Sequence, residues 1–380
     1  MRLDRPGLLF ALIGLAGLIL PFAEFKPNRI LAGEGATLAA ALPLGVALLF
    51  ALAAMFAMGV FRLPAILRLT AALAALLAVL LAIGAAARHL TPEGDTLARV
   101  SPASGFWLLL LALVLMLADA VARLRPGLML RGLLLAGAVA AAWFLLASGA
   151  LDQVSTLREY SVRREVFLRE ARAHLLLAFG SLGLALLVGL PIGMLLYGAR
   201  RLRGPVLSVL NILQTIPSLA LFGIMIPIFS WIAATVPGAA QAGVSGIGVF
   251  PALVALFLYS LLPVVSNTLT GLDGVSPSTR DAAMGLGLTR PQLLGWVLIP
   301  LALPVLLAAV RIVLVQNIGL AVIAGLIGGG GFGTFVFQGL NQTAMDLVLL
   351  GALPTIALTL VAGIAMDLVV EGTARRRQEA

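Results

Sequence analysis

The sequence predicts an all-α polytopic membrane protein with about ten transmembrane helices, five in each half of the chain. Of its 380 residues, 61% are hydrophobic and only 11% are charged, a balance that excludes a soluble globular protein. Several apolar runs have the length of about 20 residues that is needed to cross ~30 Å of hydrocarbon. Arginines stand singly or in small groups beside these runs, which is the pattern that sets membrane topology.

The first half of the chain contains five predicted spans. Its first apolar run follows a basic start, as in a signal peptide, but no small-residue cleavage site comes after it, so we expect a retained helix. The five spans lie near residues 7–22, 38–60, 69–87, 105–122 and 129–149. They predict an N-terminal group of extra transmembrane helices over residues 1–150, whose role the sequence leaves open.

Residues 151–172 interrupt the apolar pattern with a run of arginines and acidic residues. The pairs Glu159–Arg163 and Glu165–Arg169 have the i,i+4 spacing that supports a helix. We predict a periplasmic linker helix in which the charges largely cancel. A docking surface for an outer partner is the alternative.

The second half contains five further predicted spans within a module over residues 173–373. With the N-terminus inside the cell, most of the 25 basic residues fall on the cytoplasmic side, as expected for a bacterial inner-membrane protein. This layout makes the N-terminus and the C-terminus cytoplasmic and places the polar loop 276–300 in the cytoplasm. The spans lie near residues 174–198, 206–230, 248–270, 301–325 and 345–369.

The polar loop at 276–300 has the pattern of two short helices. Ser276 precedes a proline and suits an N-cap. Thr289 and Gln292 have the spacing of a capping box, which begins a second helix. Gly287 lies between the two helices and allows a turn. An apolar chain has little use for a polar element of this size unless a soluble partner binds it. We predict a compact docking knob in preference to an ordinary loop.

Polar residues inside the predicted spans mark a candidate translocation path. Pro217 breaks the ladder of helical hydrogen bonds, and the freed carbonyl groups need partners from neighbouring helices or water. A structural kink explains this pattern equally well. Arg311 is costly in lipid, and an ion pair with Asp367 accounts for it as well as a functional role does. The path candidates are Gln214, Thr215, Pro217, Ser218, Tyr259, Asn267 and Arg311.

The sequence argues against several other kinds of site. The chain contains no cysteine, and its two histidines stand far apart, so we expect no metal centre. Four consecutive glycines at 328–331 suggest a phosphate-binding loop, but the Gly-Lys-Ser/Thr that such a loop requires is missing. We therefore expect a chain that is not an enzyme and carries no cofactor. The scattered arginines argue against nucleic-acid binding.

Several strings of the second half resemble the permease subunits of ABC importers. DAAMGLG at 281–287, followed by VLIP at 297–300, is similar to the EAA loop of that family. Asp281 stands where the family has glutamate, which keeps the charge and shortens the reach. QTIPSLALFG, YSLLPVVSNTLTGL, LALPVLLAAVR and IGLAVIAGLIGGGGFG resemble, in this order, the permeases of importers for glycine betaine, choline and related osmoprotectants. The matching EAA positions are Asp281, Ala282, Ala283, Gly287 and Pro300.

This resemblance implies a five-helix type I ABC importer permease core with a cytoplasmic coupling loop at 276–300. It implies three kinds of partner: cytoplasmic ABC ATPase subunits that bind ATP and Mg, a second permease subunit, and a periplasmic solute-binding protein. The second permease subunit is the same chain or a paralogue. We expect the binding protein to select the solute, because a chain with 6% aromatic residues offers little for a cation–π cage.

Three other functions stay open at this point. The chain could be an ABC permease for another small solute, such as an amino acid. An ion-coupled secondary transporter would require paired intramembrane acids and two inverted halves. The spans offer Asp119 and Asp367, but the two halves share no motif. A membrane scaffold without transport activity is the third alternative.

Overall fold

The computed structural model describes residues 3–28, 32–92, 94–95 and 97–378, with side chains as far as Arg375. The chain divides into two compact units, Met1–Val162 and Arg163–Ala380. Within the described residues, eight helices are long and apolar enough to cross a membrane, and two further apolar helices are shorter. A mostly helical membrane protein with about ten spans is therefore confirmed.

The first unit contains five apolar helices, two short helices and a small sheet within its described residues. The elements are α1 (Arg5–Ile19), β1 (Ala23–Lys26), β2 (Glu34–Ala36), α2 (Leu38–Ala41), α3 (Gly45–Gly59), α4 (Ala65–Leu90), β3 (Arg99–Pro102), α5 (Ser104–Leu124), α6 (Leu128–Ala147) and α7 (Ser155–Val162).

The small antiparallel sheet, with strand order β2-β1-β3, is an addition that the sequence did not predict. Its strands have only three or four residues, which is too short for an alternating pattern to be recognised. Ala23 lies opposite Ala36 on one side and Pro102 on the other. The sheet therefore brings the connection after α1 and the connection after α4 to the same end of the unit.

A cluster of four charged residues, of which Asp4 and Arg68 are buried, holds the other end of this unit together. Arg68 is 1% exposed and contacts Asp4 at 2.5 Å and Asp119 at 2.7 Å. Arg123 contacts the same two carboxylates at 2.9 and 2.8 Å. Burial raises the pKa of the Asp4 carboxyl, but hydrogen bonds from Arg123 and Arg68 outweigh it and lower that pKa below its usual value. Mutual pairing is what makes these buried charges tolerable.

The second unit contains the remaining spans and the predicted docking knob. Its elements are α8 (Arg164–Gly198), α9 (Arg200–Thr215), α10 (Ser218–Thr235), α11 (Val249–Asp273), α12 (Pro277–Gly285), α13 (Arg290–Gln292), a π-helical turn (Leu293–Leu298), α14 (Ile299–Leu320), a 3₁₀ turn (Ile323–Ile327), α15 (Gly333–Asn341) and α16 (Met345–Gln378).

Segment 151–172 differs from the single linker helix that the sequence predicted. Arg163, with φ −115° and ψ 22°, interrupts the helix and separates α7 from α8. The rest of the segment forms the first turns of α8, which continues without a break into the span. The i,i+4 pairs Glu159–Arg163 and Glu165–Arg169 favour helical structure on both sides of the break. They do not specify the residue at which one helix ends.

Helices α8 and α11 pack closely because small residues of α8 face α11. A Cβ added to Gly189 would lie 2.8 Å from Val264, and one added to Gly193 would lie 2.5 Å from the Thr268 Cβ. Glycines allow this approach of two helices in a membrane.

Helix α14 joins this pair through a buried polar triad. The Nδ2 group of Asn317 donates to the hydroxyls of Ser181 at 2.8 Å and of Ser260 at 2.9 Å. All three side chains are fully buried. Since each hydroxyl also donates within its own helix or to Asn317, the triad is satisfied and fixes the three helices in one register.

Gly193→Ala should destabilise the protein by ~1–3 kcal/mol, because the added methyl group would overlap Thr268. The matched control is Gly183→Ala in the same helix, where an added Cβ meets nothing within 4 Å. This control should gain up to ~1 kcal/mol from helix propensity. The midpoint of thermal unfolding in detergent measures both effects, and equal midpoints for the two variants would contradict the close packing of α8 on α11.

Candidate functional site

The span predicted over 206–230 is broken in its middle. Helix α9 ends at Thr215 and α10 begins at Ser218, with Ile216 and Pro217 in extended conformations (ψ 124° and 136°). Proline causes the break directly, since it lacks an N–H group and disfavours helical geometry in the residue before it.

Two hydrogen bonds between the broken helix and α11 replace bonds that prolines remove. The Tyr259 hydroxyl donates to the carbonyl oxygen of Ile216 at the break. In return, Nε2 of Gln214 donates to the backbone carbonyl of Tyr259 at 2.8 Å. That carbonyl would normally bond the N–H group four residues later in α11, but Pro263 occupies this position and has none. Each helix therefore supplies the donor that the other one lacks.

These residues line an open depression of about 370 Å³. It contains five of the seven path candidates, together with Ile216, Leu320 and Gln316. Gln316 of α14 was not predicted, although its place beside Asn317 in an apolar span was a signal that could have identified it. The five candidates in the depression are Gln214, Thr215, Pro217, Ser218 and Tyr259.

The other two path candidates lie outside this depression. Asn267 donates from Nδ2 to the Pro263 carbonyl at 2.8 Å, within its own helix. Arg311 of α14 forms an ion pair with Asp367 of α16, at 2.7 Å, which is the structural one of the two explanations given above. Both side chains of this pair are nearly half exposed on the surface of the second unit (44% and 45%). The structure therefore separates the ion pair from the polar residues at the helix break.

The docking knob, at residues 276–300, has the two short helices that its capping pattern predicts. Ser276 accepts a hydrogen bond from the Thr279 backbone at 3.2 Å and begins α12. Thr289 and Gln292 form a capping box at the start of α13.

The residues of the EAA pattern divide by exposure. Ala283 is buried, whereas Asp281, Ala282 and Pro300 are exposed. Gly287 adopts φ 83°, the left-handed conformation that glycine permits at the turn. Leu286, which directly precedes Gly287, exposes 82% of its surface, so the knob presents an apolar side chain at this turn.

The glycine segment 328–331 forms a turn that packs onto α8. A Cβ on Gly330 would lie 2.9 Å from Oε2 of Glu170, and one on Gly331 would lie 3.2 Å from Nδ1 of His174. His174 is fully buried and its ring lies 4.7 Å from that of Phe332. The sequence did not predict these two partners, because nothing local relates α8 to a loop more than 150 residues away.

Tyr259→Phe removes the donor for the partly buried Ile216 carbonyl and should cost ~0.5–1.5 kcal/mol, the usual net contribution of one hydrogen bond. Backbone amides flanking the break should then exchange with deuterium faster. Tyr197→Phe is the matched control, because the Tyr197 hydroxyl makes no hydrogen bond with any residue that the structure describes. Equal exchange around residue 217 in both variants would show that the hydroxyl does not stabilise the break.

Two family models match separate parts of the chain. Residues 4–157 match the N-terminal domain of the ABC transporter permease YehY, and residues 185–377 match the binding-protein-dependent transport system inner membrane component. The two matches correspond to the first unit and to most of the second.

Similar proteins are known from several bacteria. The osmoprotectant import permease protein OsmW of Salmonella typhimurium is 44% identical over 50% of this chain and 82% of the relative. The choline transport system permease protein OpuBB of Bacillus subtilis is 35% identical over 50% of this chain and 79% of the relative. A solved structure of the MetNI methionine ABC transporter, in an inward-facing conformation, is 26% identical. The structural match covers 55% of this chain and 97% of the solved chain, with a TM-score of 0.48. The chain belongs to the family of binding-protein-dependent transport system inner membrane components, which makes it a multi-pass permease subunit of the inner membrane.

Proposed function

We propose that this permease subunit translocates glycine betaine, choline or a related quaternary ammonium osmolyte in an ATP-driven importer. The similarity to the osmoprotectant and choline permeases, which extends over about four fifths of each relative, carries the proposal. The carnitine transport permease protein OpuCB of Listeria monocytogenes is a further relative, 36% identical over 51% of this chain and 81% of the relative. Glycine betaine, choline and carnitine all carry a quaternary ammonium group.

The docking knob is the proposed contact with the ATPase subunits, which bind ATP and Mg. It exposes the apolar side chains of Leu286 and Met284 as well as the carboxylate of Asp281, and such a mixed surface suits a protein groove better than water. Closure of the ATPases would move the knob and convert the cavity from inward-open to outward-open. A second permease subunit and a periplasmic binding protein complete the importer.

The depression at the helix break is the proposed part of the translocation path. Non-helical backbone at membrane depth is tolerated where it is buried in protein or lines a water-filled cavity. The exposed Thr215 and half-buried Gln316 offer a passing solute weak polar contacts. A shallow site of this kind fits an importer in which a separate binding protein holds the solute tightly.

The proposed orientation has both termini in the cytoplasm. Two features of the first unit fit the alternation of spans that this orientation assumes, and the positive-inside bias sets which side is the cytoplasm. The sheet links the two connections that this orientation places outside, and the charge cluster links the start of α1, the start of α4 and the end of α5, all placed inside. Asp119, one of the two acids that an ion-coupled transporter would use, is held in this cluster by two arginines.

Cells that express this chain with its ATPase and binding protein should take up radiolabelled glycine betaine or choline. Uptake should require the binding protein and should persist when an ionophore collapses the ion gradients while ATP is maintained. The control is the same complex with an ATPase subunit that cannot hydrolyse ATP. Uptake that follows the ion gradient and ignores this ATPase defect would overturn the proposal in favour of ion coupling.

A further inference from the structure

Four helix ends meet at the base of the second unit. Helix α8 ends at Gly198 and α9 begins at Arg200, while α11 ends at Asp273 and α12 begins at Pro277. The last carbonyl groups of a helix have no partner within it and must be satisfied from elsewhere. Here arginine side chains satisfy them.

Arg203 joins the ends of α8 and α11. Its guanidinium donates to the carbonyl of Leu196 at 2.8 Å and to that of Tyr197 at 3.1 Å, so it caps α8. The same group contacts the Asp273 carboxylate through two nitrogens, at 2.8 and 3.3 Å. A forked guanidinium can make all of these bonds at once, whereas a lysine cannot.

Arg280 joins the coupling helix α12 to the end of α11. It donates to the carbonyls of Leu272 at 3.1 Å and of Asp273 at 2.7 Å. Its guanidinium carbon lies 5.6 Å from the ring centre of Tyr197, and that of Arg203 lies 5.9 Å from the same ring. The two arginines therefore share one aromatic ring through cation–π contacts. We call the set of Tyr197, Arg203, Asp273 and Arg280 the arginine joint.

Apart from the bonds of Arg280, α12 packs against the π-helical turn that precedes α14. Ala283 is the buried residue of α12. A cavity of about 320 Å³ lies beside α12, between the end of α11 and the start of α14. The Nε group of Arg280 is also buried without a hydrogen-bond partner among the described residues, which leaves a donor for a second arrangement. The position of α12 relative to the end of α11 thus depends on the bonds of Arg280.

Helix α9 extends from the joint to the helix break. Its 16 residues span ~24 Å, and ~17 Å of this length separates Arg203 from Gln214 in the depression. Leu210 anchors this helix to its neighbours by packing in one buried cluster with residues of α8 and α11. A shift of the joint is therefore carried along α9 to the break at Pro217. The partners of Leu210 in the cluster are Leu196 of α8 and Leu261, Val265 and Leu269 of α11.

We propose that the arginine joint transmits the movement of the coupling helix α12 to the broken helix, with Arg280 and Arg203 as positioning residues. This inference rests on the proposed function, because it concerns how a docked ATPase acts on the path. Arg280 links α12 to α11 and, through the Tyr197 ring, to Arg203 at the start of α9. Neither arginine contacts the solute in this scheme.

The test uses the assembled importer in liposomes and measures the ATP hydrolysed for each glycine betaine molecule taken up. Arg280→Met and Arg203→Met should keep the ATPase bound and should raise this ratio at least about fivefold, the lower end of typical coupling factors. Arg280→Lys should give an intermediate ratio, because an ammonium group can donate to the same carbonyls without the fork. The matched control is Arg201→Met, since Arg201 is exposed and makes no hydrogen bond or ion pair with the described residues.

A ratio within about twofold of the Arg201→Met value in both test variants would overturn the proposal. A parallel loss of hydrolysis and uptake would also overturn it, because that result marks a merely structural role. If Arg280→Met does not reach the membrane, Tyr197→Leu replaces it and should raise the ratio in the same direction. A wild-type importer that takes up no quaternary ammonium solute would refute the proposed function instead, whatever the joint does.

Discussion

The exchange of hydrogen bonds between the broken helix and α11 is the constraint on which the second unit depends. At membrane depth, the carbonyl groups that Pro217 and Pro263 leave free must be satisfied by protein donors or by water in a cavity. The Tyr259 hydroxyl and the Gln214 amide meet this need reciprocally. The break is thereby held open at a fixed place, and the polar depression forms around it. Without this exchange, a polar gap in an apolar bundle would be too costly to persist.

The second unit combines a rigid part with a part that few contacts hold. Glycine packing and the Asn317 triad lock α8, α11 and α14 together, since close-packed interiors resist small displacements. Helix α12, by contrast, packs mainly against the π-helical turn before α14 and is joined to α11 by the guanidinium of Arg280. Exposed polar contacts of this kind are individually weak and can be exchanged at low cost. Such a division suits a permease, in which a fixed frame must direct the motion of a docking element.

Local patterns predicted the spans, the break at Pro217 and both helices of the coupling loop, because hydropathy, proline and capping residues act within a few neighbours. Partners distant in sequence could not be predicted in the same way. Arg68 looked like a topology marker but is buried between two carboxylates, and Gln316 joins the depression only through the packing of α14. The short sheet escaped prediction because its pairing depends on two loops that are more than 60 residues apart.

Access of water to the helix break tests the central claim most directly. The chain contains no cysteine, so a single Ser218→Cys substitution can be probed with a membrane-impermeant thiol reagent in the assembled importer. Ser181→Cys, at a fully buried position, is the control. A water-filled path predicts that the Ser218→Cys protein reacts and that the Ser181→Cys protein does not. If the reagent modifies neither protein with ATP bound or absent, the break is buried in apolar surroundings and the account is wrong.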